Sequence, residues 1–174
     1  PSLADVDGDG DLDLLVGQSF NRLTPEQRRA AALASGALPA DAPEEARPQL
    51  RARLFLNHSP ESRKSLMLDL VGDPAAGTAR EAYGAIVRLH ADLDNDPETP
   101  DVVQSRQVLG PGGHAGKQHA LTLHFGLGQA GEASRVEILW PGREDQPQVL
   151  QQVAAGRYTV AQGSDTAVPV RIPR

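Results

Sequence analysis

Five aspartates occupy alternate positions near the start of this 174-residue chain: Asp5, Asp7, Asp9, Asp11 and Asp13. Carboxylates that are brought onto one centre repel one another unless a cation lies between them. Calcium accepts about six to eight oxygen ligands in a flexible shell, whereas magnesium demands a stricter octahedron and gives up water reluctantly. The spacing therefore predicts a loop that binds Ca²⁺.

The alternation also assigns a role to each aspartate. We expect the side chains of Asp5, Asp7 and Asp9 to bind the ion, and the two glycines between them to permit a tight curl. The backbone carbonyl of Asp11 would add a further ligand, and Asp13 would close the site. A solvated acidic turn is the alternative, which the regularity of the spacing disfavours.

The loop differs from an EF-hand in two respects. An EF-hand needs a bidentate glutamate at its twelfth position, which is Val16 here, and the closing acid stands at the ninth position instead. A helix should follow an EF-hand loop, whereas the apolar segment 12–16 is typical of a strand. We expect segment 53–57 to pair with it as an antiparallel partner.

The rest of the chain reads as short strands separated by glycine- and proline-rich turns. Alternating apolar residues predict seven strands after the first two: 65–71, 85–90, 102–108, 120–125, 135–140, 148–153 and 158–162. This number and spacing predict an all-β fold, either a β-sandwich or a small barrel. We expect the segment from Gly163 onward to be loose.

A different kind of sequence separates the first two strands. Thr24 followed by Pro25 and Gln27 predicts a helix start with a capping box, and the helix should run to about Leu33 and stop near Gly36. We therefore expect a helical insertion over about residues 21–52. Its thin apolar stripe predicts weak attachment.

Charge and composition exclude several classes of function. The net charge of −6 argues against a nucleic-acid partner, which requires basic patches. No apolar run approaches the ~18 residues of a membrane helix, so we expect no membrane insertion. The chain has no cysteine, which excludes disulfides and thiolate zinc sites. No nucleophile–base or phosphate-binding motif is present, so we expect a protein that is not an enzyme.

Two weaker candidate sites remain. Segment 92–98 repeats the alternation with Asp92, Asp94 and Asp96, and either a second calcium or a solvated hairpin loop would account for it. His114, His119 and His124 invite a zinc site, but we expect His124 to pack or to bond to backbone instead. Trp140 is expected to lie over the core at a strand end.

Several segments resemble known families. Residues 3–17 resemble the FG-GAP or VCBS repeat, one blade of a β-propeller, and residues 53–57 are similar to its closing strand. Four later segments resemble the ASPIC/UnbV domain: 80–87, 124–128, 136–142 and 153–160. The resemblance implies a secreted, calcium-binding, non-enzymatic protein of the cartilage-acidic-protein type that ends in a transthyretin- or Ig-like β-sandwich.

This resemblance sets the expected organisation. Residues 1–58 would form a remnant of a terminal propeller blade with its calcium loop and helical insertion, 59–163 the sandwich, and 164–174 a tail. We expect a structural or interaction module that is secreted, displayed on the cell surface or periplasmic. Its partner would be a protein or glycan, and it would pack against upstream propeller blades. The alternative is an accessory domain of a larger secreted enzyme whose catalytic part lies upstream.

Overall fold

The computed structural model describes residues 1–17, 23–46, 52–58, 64–94, 96–110 and 120–170. Within these ranges the elements are β1 (Ser2–Ala4), β2 (Asp13–Gly17), α1 (Pro25–Ala34), β3 (Ala52–Phe55), β4 (Lys64–Val71), β5 (Ile86–Ala91), β6 (Val102–Gln107), β7 (Leu123–Gly128), β8 (Glu132–Leu139), β9 (Gln148–Ala154), β10 (Gly156–Ala161) and β11 (Val168–Pro169). A single 3-10 turn, Pro74–Ala76, precedes β5 in this part of the chain.

Two four-stranded sheets enclose the main hydrophobic core. One sheet has the strand order β11-β10-β4-β7 and the other the order β6-β5-β8-β9. The alternation in the sequence supplies their buried faces: Leu66 and Leu68 of β4 and Val87 and Leu89 of β5 are fully buried in the same cluster. The prediction of an all-β, sandwich-like fold is confirmed. The core also takes in Trp140, as expected.

The first two predicted strands pair as expected. β1, β2 and β3 form a three-stranded antiparallel sheet, in which Leu14 lies opposite Phe55 and Leu15 opposite Leu54. All four residues of β3 are exposed to solvent. This small sheet therefore carries uncovered apolar side chains.

The helical insertion has a small core of its own. The predicted capping box is present at Thr24 and Gln27, and the helix ends in a cap at Ser35. Ala32 packs with Ala37, Leu38 and Ala42, apart from the core of the sandwich. The described residues include no helix long and apolar enough to cross a membrane.

The strand predicted over 120–125 is displaced in the structure to Leu123–Gly128. Its alternation continues through two glycines on the outward side, where a pattern of side chains gives no signal. Gly128 has a φ of +58°, and a Cβ there would lie 2.8 Å from the carbonyl oxygen of Leu93. Only glycine permits this close approach of two backbones.

The expectation of a loose segment after Gly163 is wrong for the described part of it. Val168–Pro169 pairs with β10, and the Gln148 side-chain amide donates to the carbonyl of Ser164 at 2.7 Å. Such contacts between distant segments have no local sequence signal. Residues 171–174 lie outside the described residues.

Candidate metal centre

The aspartate-rich loop connects β1 to β2 and curls around the side chain of Asp5. The two oxygens of Asp5 accept the backbone N–H groups of Gly8 at 2.8 Å and of Gly10 at 3.3 Å. The φ angles of these glycines are +79° and +96°, which other residues rarely adopt. The glycines therefore give the loop the curl that the sequence predicted.

Asp13 is the buried carboxylate of the loop, with 1% of its surface exposed. It accepts the N–H of Val6 at 2.8 Å and the N–H of Asn57 at 2.9 Å. The amide of Asn57, followed by that of Val6, holds the pKa of Asp13 below its ordinary value of 3.8. Asp13 is thus ionised at neutral pH and connects the loop to the end of β3.

The structure brings three of the predicted side-chain ligands together. Carboxylate oxygens of Asp5, Asp7 and Asp13 lie within 4.8 Å of one another. Asp9 falls into a second group, in which its carboxylate lies within the same distance of Asp7 and of a ring nitrogen of His58. Asp7 is the member that both groups share.

His58 was not among the ligands predicted from the sequence. The histidine follows Asn57, whose backbone bonds to Asp13, so the pairing of β2 with β3 carries it to the loop. No local pattern indicates this, because 45 positions separate His58 from Asp13 along the chain. The carboxylate of Asp11 belongs to neither group; the atom of Asp11 that we expected to bind the ion is its backbone carbonyl oxygen.

The residues present fit a calcium ion. Asp5, Asp7 and Asp13 offer only oxygen donors, the ligand type that calcium prefers. An ionised carboxylate has about four lone-pair positions, so each oxygen of Asp13 can accept an N–H and still bind a cation. A strand, β2, follows the loop directly, and this agrees with the expectation that the loop is not an EF-hand.

The loop lies against the outer face of the sandwich. The Nε2 atom of His124 is 2.8 Å from the carbonyl oxygen of Gly10, and because a carbonyl can only accept, Nε2 carries the proton. A Cβ at Gly10 would come within 3.0 Å of the Ser65 hydroxyl. The expectation that His124 bonds to backbone is therefore confirmed.

The second acidic segment is held by bonds within itself. The N–H of Asp96 lies 3.1 Å from an oxygen of Asp92 and 3.2 Å from one of Asp94, and Thr99 donates to Asp94 at 3.0 Å. Hydrogen bonding with Asp92, and then with Thr99, lowers the pKa of Asp94. In the described part of the chain, groups of three candidate ligands occur only at the N-terminal loop, and one of these groups includes His58.

The less favoured zinc alternative involves three histidines, of which one lies among the described residues. His114 and His119 fall outside the described residues, and His124 is engaged with Gly10. Trp140 is buried and donates from Nε1 to Gln148 at 2.8 Å. It therefore has the structural role that we expected.

Comparison with known proteins identifies the second part of the chain. A family model described as ASPIC and UnbV matches residues 75–167, which is more than half of the sequence. A comparison with curated proteins found no significant match. The matched range covers most of the sandwich and begins after the N-terminal loop. The assignment of that loop to a propeller blade therefore stays a prediction.

Proposed function

Because the chain belongs to the ASPIC and UnbV family, we propose that it is a calcium-binding, non-catalytic module. It would act outside the cytoplasm, either as a structural component or by binding a partner. The ion would be held by Asp5, Asp7, Asp9 and Asp13 together with the backbone carbonyl of Asp11. Calcium would offset the mutual repulsion of the carboxylates and stabilise the fold of the loop.

One observation carries the proposal: the convergence of the Asp5, Asp7 and Asp13 carboxylates within 4.8 Å of one another. Asp5 accepts two backbone amides of the loop, and these bonds hold the curl that brings the carboxylates together. Preorganisation of this kind lowers the entropy that calcium binding must overcome.

We also propose that residues 1–58 form the last blade of an FG-GAP/VCBS-type propeller. Uncovered apolar side chains on the three-stranded sheet support this: Leu3 is 51% exposed, Leu54 46% and Phe55 51%. Exposed apolar clusters of this kind mark surfaces that pack against another element. An upstream blade is the neighbour that the family resemblance implies. The partner of the whole module would be a protein or a glycan.

Calorimetric titration of calcium into the chelator-stripped chain tests the proposal. We expect one saturable calcium site and at most weak heat with magnesium, since the acidic loop suits a larger, less strictly octahedral ion. Amide NMR signals of β1–β3, recorded on the same sample, establish whether this sheet is folded. Folded β1–β3 without a calcium heat would refute the metal assignment.

A further inference from the structure

A cleft of about 350 Å³ lies between the aspartate-rich loop and the outer face of the sandwich. Leu3 and Leu12 line it on one side, and Met67 and Arg157 of the sandwich line it on the other. Its volume is at the lower end of the range for ligand pockets, about 300–1,000 Å³. The cleft therefore suits a molecule the size of a single sugar ring better than an extended chain.

Hydrogen bonds hold one guanidinium group that lines the cleft, that of Arg157. Nε of Arg157 donates to Asp69 at 2.8 Å, and Nη2 donates to Asp69 at 3.3 Å and to Thr122 at 3.2 Å. The hydrogen bonding of Arg157 to the carboxylate of Asp69 is the main reason why the pKa of Arg157 is raised. These bonds leave Nη1 out of the network, and they fix the orientation of the guanidinium group.

A second guanidinium, that of Arg106 on β6, also lines the cleft. It lies over the ring of Phe125, 5.6 Å from the ring centre, and donates to the carbonyl of Ser105 at 2.9 Å. Among the described residues it has no carboxylate partner within ion-pair distance. Asp69 offsets the positive charge of Arg157. Arg106 is therefore the guanidinium group that supplies a net positive charge to the cleft.

We propose that this cleft binds a monocarboxylate of monosaccharide size. A guanidinium group presents parallel N–H donors that match the two oxygens of a carboxylate. Leu12 and Met67 offer an apolar surface for the flat face of a sugar ring. The net charge of −6 disfavours a polyanion, so a single charged group is the better match.

Calcium should strengthen this binding, an extension that rests on the proposed metal site. Asp5 lines the cleft and also belongs to the carboxylate group of the loop. When calcium offsets the charge of Asp5, the repulsion between Asp5 and a bound anion falls. By reciprocity, the anion should increase the affinity for calcium by the same factor.

Calorimetric titration of glucuronate and of glucose separates the carboxylate from the sugar ring. The parent chain, Arg106→Gln and Arg88→Gln are compared after removal of calcium and dialysis free of chelator. Arg88 is an exposed arginine on the neighbouring strand β5 and does not line the cleft, so its variant is the matched control for charge. The titrations are then repeated in saturating calcium.

We expect glucuronate to bind the parent and Arg88→Gln with equal affinity. Glucuronate should bind Arg106→Gln, and glucose should bind the parent, about tenfold more weakly or worse. Calcium should tighten glucuronate binding about fivefold or more. Equal affinity for both sugars, or an unchanged affinity of Arg106→Gln, would overturn the carboxylate site. Equal glucuronate affinity with and without bound calcium would overturn the role of Asp5. If calcium itself does not bind, the calcium-free titrations still decide whether the cleft binds a carboxylate.

Discussion

Substitution of Asp7 is the most direct test of the calcium assignment. Its carboxylate belongs to both possible ligand groups, one with Asp5 and Asp13 and the other with Asp9 and His58. Whichever group holds the ion, Asp7→Ala removes a charged ligand. Truncation of Asp5 or Asp13 would be harder to interpret, because each accepts backbone amides that shape the loop.

The expected magnitudes follow from these contacts. Asp7 is exposed and accepts one long bond, from the N–H of Asp9 at 3.3 Å. In calcium-free solution, its loss should therefore change the free energy of unfolding by less than about 0.5 kcal/mol. At a calcium concentration one hundred times the dissociation constant, the parent should gain about 2.7 kcal/mol. For a chain of this size, that gain raises the melting temperature by about 5–11 °C.

Calorimetric titration gives the dissociation constant, and scanning calorimetry then follows the transition that includes β1–β3 with and without calcium. Asp145→Ala removes the same charge from an exposed turn elsewhere and serves as the control. We expect the parent and Asp145→Ala to respond to calcium, and Asp7→Ala not to respond. An equal calcium response in Asp7→Ala would place the site elsewhere, with segment 92–98 as the first alternative.

Three further predictions test the fold. Phe125→Ala should cost about 3–5 kcal/mol in urea unfolding because the ring is fully buried. Phe55→Ala, at a site that is 51% exposed, should cost under about 1 kcal/mol. Similar costs for the two variants would contradict the core assignment. Gly128→Ala should destabilise by more than about 1 kcal/mol, since φ is +58° and a backbone oxygen blocks the Cβ, and Gly126→Ala, with open space, is the control. A neighbouring backbone amide lowers the pKa of Glu144 below 4.5. Its stabilising contribution is therefore present above that pH and is lost as the pH falls through the folded-state pKa. An NMR titration that gives the carboxyl group a pKa at or above 4.5 would refute this.

Local patterns predicted most of the elements of this fold. The capping box at Thr24 and the alternation in β4 and β5 depend only on neighbours within a few residues, so they can be read directly from the sequence. The pattern failed where glycines replace side chains, as in β7, and where a short segment is held only by a distant strand, as in β11. A period-two pattern identifies a strand but does not identify its neighbour.

The sequence by itself determined the chemistry of the loop: alternate aspartates with glycines between them are a set of oxygen donors in any conformation that curls. Only the tertiary structure decided that Asp5, Asp7 and Asp13 converge while Asp9 faces His58. It also brought Arg106 and Arg157, from different sheets of the sandwich, to one cleft beside the loop. Donor type belongs to each residue, whereas the distance between donors depends on how the strands pair and pack, which involves residues far apart in the chain.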